Sequence, residues 1–364
     1  MLATRLALAA ASLSPLTALL TAAPAAIAAP KVVADIPAIH SIASAVMTGV
    51  GEPRLIVAPG ASPHGYAMKP SEAQAVADAD VIFWVGHELT PWLETAIDTL
   101  GANAASHEMM DAPGLRLLAF RESSTFETHD HGDHEGHDED HHEEHGEDHG
   151  DDGHDAHDDD HAKKDEDHTG EGHDDGVHAH EGDDDEGHEH GADDKDPHIW
   201  LDPANGRAMA DAIAAALSET DPTNAAAYAA NAEALKAEID AVEADLSAAL
   251  AAVRGRPFIV FHDAYHYFEA RFDVEATGAL SVSDAATPGP ARIEEIHALI
   301  KSAQVACVFT EPQFDQRLVQ RLIEGVGAKS GQLDPQGVDI EPGPHHYPAL
   351  LRKLGADLIA CLSS

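Results

Sequence analysis

The sequence predicts an α/β protein in which two lobes of alternating strands and helices are joined by one long rigid helix. Two observations carry this prediction. Short apolar runs alternate with helical patterns on both sides of a central block that has almost no apolar residues, which is the order of parallel α/β sheets. A long helical pattern at residues 223–253 also separates the two groups. Because open parallel sheets bind ligands beyond the carboxyl ends of their strands, we expect a binding site in the cleft between the lobes.

The N-terminus has the pattern of a secretory signal peptide. A charged start at Arg5 is followed by an apolar stretch of Ala and Leu, which reaches an A-x-A cleavage site at Ala26-Ile27-Ala28. We therefore expect residues 1–28 to be removed and the mature chain to begin near Ala29. No later segment offers the roughly eighteen uninterrupted apolar residues that a membrane-spanning helix needs.

The first lobe is predicted to occupy residues 29–203, where strands and helices alternate. Its apolar runs are short and rich in Val and Ile, as is typical of buried strands. The predicted strands are Lys31–Ile36, Arg54–Val57 and Val81–Val85, and the predicted helices are Ile39–Gly49, Pro70–Ala77 and Trp92–Leu100. This order favours a parallel sheet.

Within this lobe, residues 129–194 form a low-complexity block of His, Asp, Glu and Gly. From Glu127 to Asp196 there are 32 acidic residues, three lysines and 17 of the 27 histidines, so this stretch holds 29 of the 45 excess negative charges. Such a composition cannot bury enough apolar surface to fold, and we expect an inserted disordered loop. The charge also excludes nucleic acid as a natural partner, since phosphate contacts need clustered Lys and Arg.

A helical segment, residues 204–255, is predicted to join the lobes. Asn205–Ser218 has the pattern of one helix and Thr223–Val253 that of a second, which Pro222 opens and Gly255 closes. At about 1.5 Å per residue the second helix spans roughly 45 Å, longer than one small domain. We interpret it as a rigid strut between the lobes.

The second lobe is predicted to occupy residues 256–364 and to resume the alternation of strands and helices. The predicted strands are Phe258–His262 and Val305–Thr310, and the predicted helices are Tyr265–Phe272, Arg292–Ser302 and Phe314–Gly325. Its Cys307 and Cys361 are the only two cysteines. An even count in an exported protein favours one disulfide, with two buried free thiols as the alternative.

Three histidines outside the central block lie at strand ends or in adjoining loops. His64 follows the second predicted strand, His198 lies in the first apolar stretch after the block, and His262 closes the strand that begins at Phe258. A lone histidine is more often a hydrogen-bonded structural residue than a ligand. Zinc needs three or four ligands in tetrahedral array, so the three histidines form a metal site only if the fold brings them together.

Five segments, in this order, carry a resemblance to a known family: PGASPHGY, DPHIWLDP, FHDAYHYFE, TEPQF and LDPQG. With an acidic His-rich insertion before the second, they resemble the zinc-binding subunit of bacterial high-affinity zinc importers over essentially the whole mature chain. The resemblance implies a periplasmic, monomeric receptor and no enzyme. It implies two (β/α) lobes joined by a long rigid helix, with zinc in the interlobe cleft and a permease and an ATPase of the ABC type as partners.

The same resemblance implies roles for individual residues. His64, His198 and His262 match the three zinc ligands of the family, and a disulfide joins Cys307 to Cys361. The fourth position is open between Asp334, water and Glu311, and a turn ahead of Pro335 is the structural interpretation of Asp334. Three imidazoles and one oxygen favour zinc over the harder manganese.

Two other functions remain open from the sequence. A secreted zinc hydrolase also uses three histidines with an open fourth position, but no H-E-x-x-H motif or other paired base lies beside a candidate ligand. A periplasmic zinc buffer or metallochaperone would serve other proteins and no importer. The block at residues 129–194 is either a zinc collector that feeds the cleft or a solvated polyanion that binds metal only incidentally.

Overall fold

The computed structural model describes residues 29–121, 125–126, 195–281, 288–314 and 316–363. The predicted signal peptide at residues 1–28 and the block at residues 129–194 lie outside these residues, so the predictions about them rest on the sequence alone. Among the described residues, no helix combines the length and the apolar character that crossing a bilayer requires.

The first lobe is a four-stranded parallel sheet with helices on its two faces. Its strands are β1 (Val32–Ala34), β2 (Arg54–Leu55), β3 (Val81–Trp84) and β4 (Ala105–Glu108), and its helices are α1 (Pro37–Val46), α2 (Pro70–Ala77) and α3 (Pro91–Leu100). The strand order is β2-β1-β3-β4, with every pair parallel. All three helices begin with proline, whose fixed φ suits the first turn and whose missing N–H is not needed there.

Two helices follow and connect the lobes: α4 (Pro203–Thr220) and α5 (Ala225–Leu250). The 26 residues of α5 span about 39 Å, and single 3₁₀ turns at Pro222–Asn224 and Ala251–Val253 flank it. Its buried stripe recurs every three or four residues, as an amphipathic helix requires. The stripe comprises Tyr228, Ala232, Leu235, Ile239, Val242, Leu246 and Leu250. The predicted long helix is therefore confirmed, with ends that tighten into 3₁₀ geometry.

The second lobe repeats the architecture of the first. Its strands are β5 (Phe258–His262), β6 (Gly278–Ser281), β7 (Cys307–Thr310) and β8 (Lys329–Gln332), and its helices are α6 (His266–Phe272), α7 (Pro290–Ser302), α8 (Gln316–Ile323) and α9 (His346–Leu362). The strands are again all parallel, in the order β6-β5-β7-β8. The fold class predicted from the sequence, two α/β lobes with a long connecting helix, is confirmed.

One hydrophobic core runs through both lobes. It includes Val32 of β1, Ile239 of α5, Phe258 of β5 and Leu354 of α9. Two smaller clusters fill the outer faces, one between the first sheet and α2 and α3, the other between the second sheet and α7 and α8. Because α5 packs against α1 as well as against α6 and α9, the connecting helix is part of the shared core.

The predicted disulfide is present. Cys307 of β7 is bonded to Cys361 in the last turn of α9, with the two Cα atoms 6.1 Å apart. The bond closes a loop of sequence separation 54. It fastens α9, which packs along α5, to the second sheet.

Candidate metal centre

His64 lies in the loop between β2 and α2, at the carboxyl edge of the first sheet. Trp92 of α3 anchors this loop, because its indole N–H donates to the carbonyl oxygen of Pro63 at 2.7 Å. The ring of Tyr66 packs against that of Trp92, with centroids 5.5 Å apart. The histidine itself is half-buried, so its ring lies at the border of the interior.

His198 lies directly before the 3₁₀ turn Ile199–Leu201 and is buried. Its Nδ1 atom is 2.7 Å from Oδ1 of Asp196, which also accepts the backbone N–H of His198 at 3.0 Å. The segment is tied to the second lobe, because the indole of Trp200 donates to Pro335 O and the hydroxyl of Tyr347 donates to Trp200 O, each at 2.8 Å.

His262 is the last residue of β5 and is almost completely buried. Its Nδ1 atom lies 2.5 Å from Oε1 of Glu311, the residue that follows β7. The register of β5 against β7 explains this contact: Phe258 lies opposite Cys307 and Ile259 opposite Val308, and the same offset places Glu311 beside His262.

The three rings converge although they come from three distant parts of the chain. Ring centroids are 5.5 Å apart for His64 and His198, 6.3 Å for His64 and His262, and 5.3 Å for His198 and His262. One ring nitrogen from each lies within 4.8 Å of the other two. Since Zn–N bonds are about 2.0–2.1 Å long, a small inward shift of the rings would let all three bind one ion.

Neither carboxylate that was considered for the fourth position joins this group among the described residues. Asp334 caps a turn: its Oδ1 accepts the N–H groups of Gln336 and Gly337, and its Oδ2 accepts that of Val338. These hydrogen bonds agree with the structural interpretation, in which Asp334 is a turn residue ahead of Pro335. Glu311 holds the Nδ1 side of His262. These hydrogen bonds favour water among the three alternatives, and the fourth ligand stays a prediction.

A buried carboxylate environment surrounds the histidine group. Burial raises the pKa of Asp196 to about 7; nearby Asp263 adds to the rise, while the backbone N–H of His198 and the charge of Arg121 oppose it. Burial also raises the pKa of Tyr265, reinforced by the charge of Glu311. A cation bound by the three histidines would lower both pKa values, because an opposite charge nearby favours the ionised forms.

Sequence reasoning missed the roles of Asp196 and Glu311. An aspartate two residues before a histidine is a local signal, since a short side chain at that spacing can reach back to the imidazole. The role of Glu311 depends on the pairing of β5 with β7, which a single sequence does not show.

Seven further histidines lie among the described residues, and none of them joins the group: His40, His87, His107, His266, His297, His345 and His346. His346 is buried with its ring between the carbonyl oxygens of Gln336 and Ile340. His266 is largely covered, with its Nδ1 atom 3.8 Å from Oδ2 of Asp196.

Two parallel α/β lobes that share a long helix, with a histidine group where their sheet edges meet, define the metal-receptor class of solute-binding proteins. The comparison with protein families agrees with this class. Residues 32–361 match the family described as zinc-uptake complex component A, periplasmic (ZnuA). The chain belongs to this family.

Individual relatives support the same assignment. The chain is 46% identical over 332 residues to the high-affinity zinc uptake system protein ZnuA of Brucella suis, covering 91% of both chains. It is 40% identical over 344 residues to the protein of that name from Paracoccus denitrificans, covering 94% of this chain and 95% of the relative. The solved periplasmic zinc-binding protein TroA of Treponema pallidum has the same fold, with a TM-score of 0.65, 16% identity and coverage of 92% and 99%.

Proposed function

We propose that this protein is a periplasmic receptor that binds one zinc ion between its lobes and delivers it to an ABC-type importer. The observation that carries the proposal is the convergence of His64, His198 and His262, whose ring nitrogens lie within 4.8 Å of one another. The names of the relatives point to the same cargo, since those from Brucella suis and Paracoccus denitrificans are called high-affinity zinc uptake proteins.

The ligand set suits zinc. Each imidazole binds as the neutral base, so the ring nitrogen that faces the ion must be free of a proton. The carboxylates beside Nδ1 of His198 and His262 stabilise the tautomer that carries its proton on Nδ1, which leaves Nε2 for the metal. Water completes a tetrahedral shell of three nitrogens and one oxygen, a set that favours zinc over manganese.

The protein acts as a receptor and has no enzymatic activity of its own. A zinc hydrolase needs a base that can reach the metal-bound water. The two carboxylates that lie against the histidines instead contact Nδ1 atoms, on the far side of each ring from Nε2. Asp334 is occupied by backbone N–H groups. This arrangement orients ligands and does not activate a nucleophile.

The partners follow from the transport role. The sequence has no phosphate-binding G-x-x-x-x-G-K-[ST] loop, so a separate ATPase supplies the energy and a membrane permease receives the ion. The receptor works as a monomer in the periplasm, to which residues 1–28 direct it as a cleaved signal peptide. Its parts are the first lobe (29–203), the helical segment (204–255) and the second lobe (256–364).

The His-rich segment, residues 129–194, serves as a weak collector. Its histidines and carboxylates bind zinc at low affinity and raise the local concentration near the cleft, as any tethered site does. A zinc buffer without an importer is the competing function, and in that case the segment would hold the physiologically relevant ions.

Zinc titration by competition calorimetry separates these functions. Three mature proteins are compared: the intact chain, the chain without residues 129–194, and that shorter chain with His64→Ala, His198→Ala and His262→Ala. We expect the shorter chain to keep one tight site and the triple variant to lose it. Loss of tight binding together with residues 129–194 would instead identify a zinc buffer.

A further inference from the structure

The chain on either side of the His-rich segment is fastened close to the metal centre. Ala119 and Lys195 form an antiparallel bridge, and the N–H of Asp196 donates to the carbonyl oxygen of Leu118 at 2.9 Å. We call residues 118–121 and 195–196 the stem. Asp196 at the end of the stem contacts the ring of His198, so one strand of the stem ends beside a metal-ligating histidine.

The other strand of the stem ends at Arg121, which contacts the second lobe. Its guanidinium forms a two-pronged ion pair with Asp263, in which Nε donates to Oδ2 at 3.0 Å and Nη2 donates to Oδ1. Nη1 donates to Glu269 of α6. The guanidinium also lies over the ring of Phe126, 3.9 Å from its centroid. Three different groups thus hold one side chain in a single orientation.

This ion-pair cluster is largely removed from water. The side chains of Arg121, Asp263 and Glu269 are 15%, 11% and 1% exposed. Burial raises the pKa of Glu269, and the charge of Arg121 counteracts the rise. Removing one member of a buried pair leaves the other charge uncompensated, so the local structure must rearrange.

The location of Asp263 links the cluster to the metal centre. Asp263 directly follows His262, and the turn after β5 is closed by the N–H of Ala264, which donates to the carbonyl oxygen of His262 at 2.9 Å. Arg121 therefore fixes the side chain in the middle of the turn that leaves the metal-ligating residue. A shift of this turn would move the His262 ring relative to Glu311 and to the other two histidines.

We propose that Arg121 is a positioning residue of the metal centre, which acts through Asp263 to fix the turn after His262 and joins the stem of the His-rich segment to that turn. The inference rests on the proposed zinc function. Removal of partners outside the ligand shell commonly weakens metal binding about 10–100-fold. We expect Arg121→Gln to weaken zinc binding by at least about tenfold.

The test measures zinc dissociation constants of the full mature chain by chelator competition. Arg121→Gln and Asp263→Asn are compared with Arg271→Gln, a matched control because Arg271 of α6 likewise makes a two-pronged ion pair between the lobes, with buried Asp202. We expect Arg271→Gln to stay within about twofold of the parent, since it lies outside the shell around the ligands. Arg121→Lys provides a milder variant if Arg121→Gln does not fold, and circular dichroism checks folding.

The double variant Arg121→Gln with Asp263→Asn tests whether Arg121 acts on the metal centre through Asp263. If Arg121 acts through Asp263, the double variant binds zinc as weakly as Asp263→Asn alone. An unchanged dissociation constant in a folded Arg121 variant, or an equal loss in Arg271→Gln, would overturn the inference. Failure of the unmodified protein to bind zinc tightly would instead refute the proposed function.

Discussion

At the scale of single residues, the proposed metal centre depends on carboxylates that orient its histidines. The Nδ1 atoms of His198 and His262 lie within hydrogen-bonding distance of Asp196 and Glu311. Each carboxylate selects one tautomer and raises the basicity of the opposite nitrogen. Because both pairs are buried, solvent does not compete for these hydrogen bonds.

Glu311→Gln tests this orientation. The amide keeps the shape of the side chain and loses its charge, so the polarisation of His262 weakens. We expect zinc affinity to fall about tenfold or more, measured by chelator competition at constant pH. Glu243→Gln is the control, because Glu243 pairs with Arg207 away from the centre. Equal affinities of the two variants would show that Glu311 does not tune the ligand.

From the sequence, placement at strand ends or in adjoining loops made His64, His198 and His262 candidates, and the family resemblance gave them the ligand role. The structure brings the three together, and their role as zinc ligands stays a prediction. The sequence predicted Glu311 as one candidate for the fourth ligand, whereas the structure places it behind His262. The difference comes from strand pairing: β7 lies next to β5 in the same sheet. A carboxylate one residue beyond β7 then meets the last residue of β5 instead of pointing between the lobes.

At the scale of helices and strands, elements with a strong hydrophobic pattern were predicted from the sequence, and elements with a weak pattern were missed. The predicted bounds of α2 and β5 agree with the structure. The edge strands β4 and β8 were missed, because Ala105–Glu108 and Lys329–Gln332 are polar and largely exposed, without a buried face to give an alternating pattern.

The short strand β6 and the helix α9 were also missed. Gly278–Ser281 has only four residues and begins with glycine, so its local β preference is weak. α9 follows a stretch rich in Pro, Gly and His and contains Pro348 and Gly355, both poor helix formers. Its stability comes from tertiary packing along α5 and from the disulfide, which the local sequence does not show.

The close approach of Tyr347 of α9 to α4 depends on Gly206. A Cβ atom at this position would lie 2.2 Å from the hydroxyl oxygen of Tyr347 and 2.6 Å from its ring. The ring cannot move freely, because the hydroxyl donates to Trp200 O at 2.8 Å and the side chain is fully buried. The glycine therefore lets α9 approach the segment that carries His198.

Gly206→Ala is expected to destabilise the protein. Alanine favours a helix by about 1 kcal/mol over glycine, but displacing a buried tyrosine commonly costs about 1–3 kcal/mol. We expect a net loss of about 1 kcal/mol in the free energy of unfolding, measured by denaturant titration. Gly289→Ala is the control, because a Cβ there meets no atom within 4 Å and its φ is −71°. An unchanged or higher stability of Gly206→Ala would show that Tyr347 can repack.

At the scale of the whole molecule, the two lobes are joined by more than a linker. The core is continuous from β1 through α5 to β5 and α9. Polar contacts between the lobes reinforce it: Arg271 of α6 pairs with Asp202, and the hydroxyl of Tyr267 donates to Asp196 O at 2.8 Å. A hinge closure of the lobes would have to break this packing.

We therefore expect zinc to change the protein only locally. In small-angle scattering of the chain without residues 129–194, the radius of gyration should be the same with and without zinc, while tryptophan fluorescence should respond, because Trp92 and Trp200 adjoin Pro63 and His198. The variant with His64→Ala, His198→Ala and His262→Ala provides the baseline for both measurements. A clear zinc-dependent decrease in the radius of gyration would mean that α5 acts as a hinge, and that the permease distinguishes loaded from empty receptor by lobe closure. An unchanged radius of gyration with a fluorescence response would mean that the permease distinguishes loaded from empty receptor by the local order of the cleft surface, where the His64 loop meets the segment of His198.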